Sequence, residues 1–262
     1  MESNKKRIFY SQNLEMNFGG LYALADINID VYEQETVGLI GPNGSGKTTF
    51  FNVITGVYKA TDGAFYFMDK NMLGKEPYEI AKFGISRTYQ ASRLCLDLTL
   101  LDNILIGMYN SQTAGYFSAL FNRKRLIDEV RRFKNRAVEL LNIFNPDLID
   151  RMFRPVGELA QIDRRRVEIC RAMAGQPKII LLDEPSAGMT PDETKELMED
   201  IKKVRSTMED VSIIVVEHDM SVISTVSERV IAINFGKEIA RGTYEEVSNH
   251  HEVRKAYLGK EA

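Results

Sequence analysis

Gly41-Pro-Asn-Gly-Ser-Gly-Lys-Thr48 is the stretch that decides the fold of this 262-residue chain, because it matches the phosphate-binding loop pattern G-x-x-x-x-G-K-[ST]. An apolar run at 36–40 precedes it, and a helix-like pattern follows from Lys47. Strand, loop and helix in this order place a curled, glycine-rich backbone at a helix N-terminus, where N–H groups and partial positive charge meet an anion. The stretch therefore predicts a site for nucleotide phosphates.

The residues of this loop have distinct expected tasks. Lys47 reaches the β- and γ-phosphates, and the Thr48 hydroxyl ligates Mg²⁺. The positions expected to bind the nucleotide are Gly41, Asn43, Gly44, Ser45, Gly46, Lys47, Thr48 and Thr49. The alternative is a glycine-rich turn that only starts a helix, and the flanking patterns argue against it.

Composition and charge exclude several classes of protein. Apolar residues make up 44% of the chain and the net charge is −3, which predicts a full core and argues against a nucleic-acid binder, since binding phosphates requires a basic face. No run of 18 apolar residues and no apolar signal segment is visible, so we expect a cytoplasmic chain. Cys95 and Cys170 are isolated, which argues against disulfides and a zinc site.

Strand-like and helix-like runs alternate along the chain. Strand patterns cover 7–15, 25–31, 36–40, 64–67, 85–89, 178–182, 212–216 and 229–234. Helical patterns cover 47–56, 98–108, 123–143, 164–174, 191–208 and 220–226. We predict one α/β nucleotide-binding domain over 1–262, with a core in 1–90 and 172–262, antiparallel strands near the N-terminus and an inserted helical subdomain at 91–171.

Two carboxylates end a second apolar strand pattern. Ile179-Ile-Leu-Leu-Asp-Glu-Pro185 places Asp183 and Glu184 at the carboxyl edge of a parallel sheet, where α/β proteins collect ligands. Successive strand residues point to opposite sides, so the two side chains have different tasks. Asp183 suits the Mg²⁺ shell, and Glu184 suits polarisation of the water that attacks the γ-phosphate. The alternative is a strand that ends in a solvated acidic turn.

A third strand pattern, at 213–217, leads to His218. A lone histidine after a strand is more often structural than catalytic. Because the same sheet edge carries the phosphate loop and Glu184, we interpret His218 as a neutral imidazole that donates to the γ-phosphate. His250 and His251 lie in a polar tail without further metal-ligand residue types at workable spacing, and we interpret them as surface residues.

This set of motifs, in this order, resembles the ATP-binding subunits of ABC transporters over nearly the whole chain. The resemblance implies a P-loop NTPase (RecA-like) core that binds and hydrolyses ATP with Mg²⁺. It also implies that Gln90 meets Mg²⁺ and the attacking water, and that the segment after Gln90 receives a membrane subunit. Phe18 is implied to stack on adenine, with Tyr22 as the other candidate. At 186–190, where the D-loop belongs, Thr190 replaces the usual Asp.

Finer features resemble the LivG-type subunits of branched-chain amino acid importers. They are Arg87-Thr-Tyr-Gln-Ala-Ser-Arg-Leu94, Leu101-Asp-Asn-Ile-Leu-Ile-Gly107, the insertion at 110–144 and the ending Val253-Arg-Lys-Ala-Tyr-Leu-Gly259. This resemblance implies import of hydrophobic amino acids by a peripheral subunit on the cytoplasmic face of the inner (cell) membrane. Close relatives of this type serve urea and short amides. A lipopolysaccharide-export ATPase shares the Arg-Arg-Arg-Val-Glu-Ile phrase and a similar tail, but lacks so long an insertion.

One motif of the resembled family is altered. Family members carry Leu-Ser-Gly-Gly-Gln ahead of a helix, where this chain has Leu159-Ala-Gln-Ile-Asp163. In the family this signature loop crosses to the ATP of the other subunit. Ala160 lacks the hydroxyl donor, and Gln161 and Ile162 add side chains where the backbone approaches closely. Asp163 brings negative charge towards a polyanion.

The altered signature predicts an asymmetric pair of ATPase subunits. In the family two subunits pair head to tail, so each site joins one chain's phosphate loop to the other chain's signature. The implied partners are a LivF-like ATP-binding subunit with an intact signature, two transmembrane permease subunits and, indirectly, an extracytoplasmic solute-binding protein, with no nucleic acid. The alternative is a non-hydrolysing, regulatory subunit, which would not need both Glu184 and His218. A soluble ABC ATPase would show a long coiled coil or two nucleotide modules.

Overall fold

Two β-sheets organise the described residues, 5–111, 123–208 and 210–258 of a computed structural model. The strands are β1 (Arg7–Phe18), β2 (Leu21–Ile27), β3 (Asp30–Tyr32), β4 (Thr36–Ile40), β5 (Asp62–Phe67), β6 (Lys70–Asn71), β7 (Ile85–Arg87), β8 (Ile179–Asp183), β9 (Ser212–Val216), β10 (Arg229–Asn234) and β11 (Lys237–Gly242). The first sheet is antiparallel, in the order β2-β1-β5-β6, with β3 also paired to β1. The second has the order β11-β10-β4-β9-β8-β7 and is parallel except for the β10–β11 pair.

Helices cover the sheets and join their strands. They are α1 (Lys47–Ile54), α2 (Pro77–Phe83), α3 (Leu100–Ile106), α4 (Arg123–Phe144), α5 (Asp147–Asp150), α6 (Gln161–Ala174), α7 (Pro191–Thr207), α8 (Met220–Val226), α9 (Tyr244–Asn249) and α10 (His251–Leu258), with 3₁₀ turns at Tyr109–Ser111 and Val156–Glu158. In the part of the chain that the structure describes, none of the helices combines the length and apolarity of a membrane span.

The parallel strands are buried on both faces, which explains their continuous apolar runs. Ile179 and Leu181 of β8 pack in one hydrophobic cluster with the antiparallel sheet and α1. Ile180 and Leu182 pack in a second cluster with α3, α4 and α6. β9 and β10 alternate between the clusters in the same way. Full burial of each such side chain stabilises the fold by about 1.5–3 kcal/mol, so both clusters hold the sheet in place.

The predicted α/β class with an antiparallel N-terminal sheet is confirmed. The strand patterns at 36–40, 212–216 and 229–234 and the helix pattern at 220–226 have the observed limits. The single strand predicted at 25–31 is wrong, since it divides into β2 and β3. The physical reason is local: Asp26 adopts a φ of 62°, and the Asn28 amide donates to the Asp26 carboxylate at 2.8 Å.

Between residues 91 and 171 the described chain contains α3, α4, α5 and most of α6. α3 begins with a capping box, in which Thr99 accepts from the Asp102 N–H. Because α6 continues to Ala174, the limit expected at 171 falls inside a helix, and the subdomain limits stay a prediction. Residues 112–122 of the expected insertion, and Gly259 of the C-terminal phrase, lie outside the described residues.

Candidate functional site

The phosphate loop lies between β4 and α1, at the carboxyl edge of the parallel sheet. Gly46 caps α1 with a φ of 112° and no side-chain hydrogen bond, which leaves the first N–H groups of the helix to an anion. Gly41 and Gly46 have no room for a Cβ, which would lie 2.1 Å from the Ile233 carbonyl oxygen and 2.5 Å from that of Ala23. The backbone is therefore shaped as a cradle for phosphate.

Lys47 is a buried cation beside this cradle. Its Nζ donates to the Gly41 and Pro42 carbonyl oxygens at 2.7 and 3.1 Å. Burial lowers the pKa of Lys47, and the nearby carboxylates of Glu184 and Asp183 oppose that shift. A phosphate oxygen would compete with the two carbonyls for the ammonium group. Among the other predicted loop residues, Ser45 is buried, Thr49 is half-buried, and Asn43, Gly44 and Thr48 are exposed.

Asp183, at the end of β8, forms a buried ion pair with Arg87 of β7. Arg87 Nη2 donates to Asp183 Oδ2 at 2.6 Å, and the two side chains are 4% and 3% exposed. Arg87 Nη1 also donates to Asn52 Oδ1 of α1 at 2.7 Å. Arg87 is a site residue that the sequence reasoning does not identify. The available signal is an arginine in the strand that leads to Gln90, beside an edge expected to carry a buried carboxylate.

Glu184 and Gln90 are in direct contact, although 94 residues separate them: Gln90 Nε2 donates to Glu184 Oε2 at 2.7 Å. Glu184 has a φ of 46°, and its N–H donates to the Val216 carbonyl oxygen at 2.9 Å. A left-handed backbone at a residue other than glycine costs about 1–3 kcal/mol and is concentrated at functional sites. The structure thus brings the expected base and the expected water-binding amide together beside the phosphate loop.

The oxygen donors at this edge fit Mg²⁺. Thr48 offers a hydroxyl, Asp183 a carboxylate and Gln90 an amide oxygen, since the Gln90 amide nitrogen is engaged by Glu184. Mg²⁺ prefers such hard ligands and completes its shell with water and substrate phosphates. When bound, Mg²⁺ neutralises charge on the phosphates.

His218 is exposed and lies beyond the end of β9, on a cavity of about 460 Å³ that it shares with residues of the 186–191 loop. Its Nδ1 lies 3.7 Å from Oε2 of the fully buried Glu217. Glu217 Oε1 accepts from the Ser186 N–H at 2.9 Å and from the Ser186 hydroxyl at 2.7 Å. Burial raises the pKa of Glu217, against the smaller opposing effect of these bonds. Glu217, which the motifs do not indicate, therefore connects His218 to the expected D-loop.

The two candidates for adenine stacking are both exposed aromatic rings. Phe18 ends β1 with 44% of its surface exposed, and its ring meets that of Tyr58 edge to face, with centroids 5.5 Å apart. Tyr22 lies on β2 opposite Asn17 and is 51% exposed. Either ring offers a face to a base, so the choice of Phe18 stays a prediction.

The altered signature forms the start of α6, and half of it faces inward. Ile162 and Asp163 are buried, and Asp163 Oδ1 accepts from Arg166 Nη1 at 2.9 Å. Ala160 and Gln161 are exposed, and Gln161 Nε2 donates to the Ala187 carbonyl oxygen at 3.2 Å. The side chains of Ile162 and Asp163 therefore face the interior of this chain, and their expected effect on a partner's ATP stays a prediction. The part of the altered signature that is exposed at the surface therefore consists of Ala160 and Gln161.

Known proteins are similar to this chain in sequence and in fold. The ABC transporter family model matches residues 24–187, and the model of the branched-chain amino acid ATP-binding cassette transporter matches residues 237–262. LivG of Escherichia coli (strain K12), a high-affinity branched-chain amino acid transport ATP-binding protein, is 40% identical over 247 residues, which cover 94% of this chain and 96% of LivG.

Two solved structures extend the comparison. A nucleotide-free ATP-binding cassette from an ABC transporter superposes with a TM-score of 0.81 at 31% identity, and covers 97% of this chain and 100% of its own. A dimeric ATP-binding cassette in a post-hydrolysis state, bound to ADP and Pi, superposes with a TM-score of 0.72 at 25% identity, and covers 90% of this chain and 99% of its own.

Proposed function

The chain belongs to the ABC transporter family, and from this premise we propose that it is the ATP-binding and ATP-hydrolysing subunit of an importer for branched-chain or other hydrophobic amino acids. The observation that carries the proposal is the Gln90–Glu184 hydrogen bond beside the phosphate loop. Hydrolysis needs a carboxylate and a water-orienting group next to the γ-phosphate. The identity to LivG over most of the chain supports the class of solute.

The residues divide the work of hydrolysis among them. The loop N–H groups and Lys47 bind the phosphates, and Phe18 stacks on adenine. Glu184 polarises the attacking water while Gln90 orients it. His218 donates a hydrogen bond to the γ-phosphate from beyond the end of β9, the strand between β4 and β8. Apart from Phe18, which ends β1, each role fits the position of its residue at or beside the carboxyl ends of β4, β7, β8 and β9.

We further infer an asymmetric, head-to-tail dimer with a LivF-like subunit. In that arrangement the exposed Ala160 and Gln161 would face the partner's ATP without a hydroxyl donor and with an added side chain. The complete site would combine this chain's Lys47, Glu184 and His218 with the partner's signature. Two permease subunits would hold the pair on the cytoplasmic face of the inner membrane, with a solute-binding protein on the outer side.

Recovery of the tagged chain from its native membrane tests this function. We expect a second ATPase subunit and two membrane subunits to copurify, and the complex in proteoliposomes to take up leucine with ATP inside. Glu184→Gln should bind ATP normally but lower hydrolysis and uptake by about a hundredfold or more. Uptake of urea instead of leucine would contradict the solute class. Wild-type complex that binds ATP without hydrolysing it would favour the regulatory alternative.

A further inference from the structure

The last described helix, α10, reaches the phosphate loop from outside. The Gly41 N–H donates to the Tyr257 hydroxyl oxygen at 2.8 Å, across 216 residues of sequence. One turn earlier on α10, Val253 is 1% exposed and packs in the cluster that also contacts the Tyr257 ring. α10 and loop residues 42–45 line a shared cleft of about 700 Å³. The helix is therefore anchored by Val253 while Tyr257 extends to the loop.

Gly41 is held through both of its polar backbone groups. Its N–H is bound by Tyr257, and its carbonyl oxygen accepts from Lys47 Nζ at 2.7 Å. Its φ of 156° and the absence of space for a Cβ exclude any residue with a side chain from this position. Gly41 is thus the point at which β4 ends and the curl of the loop begins.

The two bonds to Gly41 respond differently to a nucleotide. Lys47 must exchange the Gly41 and Pro42 carbonyls for phosphate oxygens if it is to bind ATP. The N–H that binds Tyr257 belongs to the preceding peptide group, between Ile40 and Gly41, and needs no such exchange. Burial raises the pKa of Tyr257, so the phenol keeps its proton and its hydrogen-bonding geometry at neutral pH.

We propose that Tyr257 is a positioning residue for the phosphate loop, and that it holds Gly41 in place while Lys47 moves from the loop carbonyls to the phosphates of ATP. This inference rests on the proposed function, since it requires ATP in the loop. The inference gives the C-terminal helix α10 a role in nucleotide binding. If α10 separates from the phosphate loop, the loop becomes less ordered and the affinity for ATP falls. Tyr257 acts through Gly41 and does not touch the nucleotide.

Tyr257→Phe tests the proposal because it removes the hydroxyl and keeps the ring. Loss of one hydrogen bond predicts a rise of about two- to tenfold in the dissociation constant and the KM for ATP. The kcat measured with the partner subunit should change by less than about twofold, because Glu184 and Gln90 are untouched. The melting temperature without nucleotide should fall slightly, because the bond to Gly41 is already present in the empty protein.

The matched control is Tyr244→Phe on α9, in the same C-terminal segment. Tyr244 is also partly buried against the same hydrophobic cluster, and in the described part of the chain its hydroxyl makes no hydrogen bond. We expect this variant to bind ATP as the wild type does. Equal ATP affinity of Tyr257→Phe and Tyr244→Phe would overturn the inference, whatever happens to the melting temperature.

A second measurement uses the unmodified protein. The Gly41 amide should exchange slowly with solvent both with and without MgATP, since Tyr257 holds it throughout. Fast exchange of this amide in either condition would also overturn the inference. If the wild-type chain fails to bind ATP, the proposed function fails together with this inference, whereas normal binding in both the wild type and Tyr257→Phe contradicts the inference alone.

Discussion

At the scale of single residues, Glu217 is a fully buried carboxyl group next to the candidate site. Ser186 donates twice to its Oε1, and within the described residues its Oε2 has no hydrogen-bond partner. Burial raises its pKa above the ordinary 4.5, Glu184 adds to the shift, and His218 opposes it. Because the folded-state pKa is raised, the protonated carboxyl stabilises the fold at low pH. That contribution is lost as the pH rises from about 4.5 through the raised pKa.

Glu217→Gln should therefore gain stability relative to the wild type as the pH rises. The glutamine oxygen still accepts both bonds from Ser186 but carries no charge to desolvate. Melting temperatures of both proteins at pH 5, 6, 7 and 8 should show a difference that grows with pH in favour of the variant. Ser186→Ala removes one donor to the carboxylate and should steepen the pH dependence. A difference independent of pH would contradict this account of Glu217.

The site residues fall into two groups by how far the sequence predicts them. The phosphate loop, Asp183 and Glu184 follow from local patterns, because strand ends and glycine spacing fix where their backbone goes, whereas Gln90 follows only from the resemblance to the family. Arg87 and Tyr257 do not, because each acquires its role from a partner 96 or 216 residues away. Which side chain meets such a partner depends on strand register and helix docking, and a short pattern contains neither.

At the scale of elements, the start of α6 is fixed to α7 by one buried cation. The Arg166 side chain is 4% exposed and binds Asp163 at 2.9 Å, Glu196 at 2.5 Å and Asp200 at 2.7 Å. Burial acts to lower the pKa of Arg166, but the hydrogen bonds that Arg166 donates to these carboxylates together outweigh it and raise the pKa. α7 follows the 186–190 loop, so Arg166 couples the altered signature mechanically to the expected D-loop.

Arg166→Met should lower the free energy of unfolding by about 3 kcal/mol or more, since among the described residues it leaves Lys203 as the one ion-pair partner of the buried Asp200. Denaturant titration followed by circular dichroism measures this change. Adding Asp200→Asn should recover part of the loss. The control is Lys202→Met on the exposed face of α7, where the pair with Glu199 contributes less than about 1 kcal/mol. Equal losses in the two single variants would contradict a buried network.

The elements that the patterns predict poorly are short. β11, α9 and α10 are six, six and eight residues long, which is too short a window to establish a hydrophobic period. A signal for α9 is present in the sequence: Thr243 and Glu246 form a capping box, with Thr243 accepting from the Glu246 N–H at 3.3 Å. The buried parallel strands β4, β9 and β10, in contrast, are predicted to the residue and β8 to within one residue at each end, because their apolar runs end abruptly at the sheet edges.

For the whole molecule, the inferred asymmetry predicts that Glu184→Gln with ATP stays monomeric alone and forms a stable dimer with the LivF-like subunit. Size-exclusion chromatography measures the outcome, and Lys47→Ala in the same background, which weakens phosphate binding, is the control. A stable ATP-dependent homodimer of the Glu184→Gln chain would contradict the asymmetry.

Because one missing donor at such a site costs about a hundredfold in rate, Ala160→Ser with Gln161→Gly in the otherwise wild-type chain should raise its homodimer ATPase about tenfold or more.

The structure also limits how the signature can be restored. Ala160 and Gln161 are exposed, so replacing them should change the melting temperature less than replacing the two buried residues. Ile162→Gly would instead empty a buried position, and Asp163→Gln would remove a carboxylate from Arg166. Restoring all four family residues at 160–163 should therefore lower the melting temperature, and the double variant is the cleaner comparison.

The sheet between the two hydrophobic clusters limits where insertions and deletions can occur in chains of this kind. Neighbouring residues of β8 belong to opposite clusters, and Asp183 ends the strand against Arg87. Inserting or deleting one residue within β8 exchanges the faces of every residue beyond it, which buries the wrong side chains and misplaces the carboxylates in one step. Length changes are therefore restricted to connections outside the parallel strands, and the geometry of catalysis is inherited together with the packing of the core.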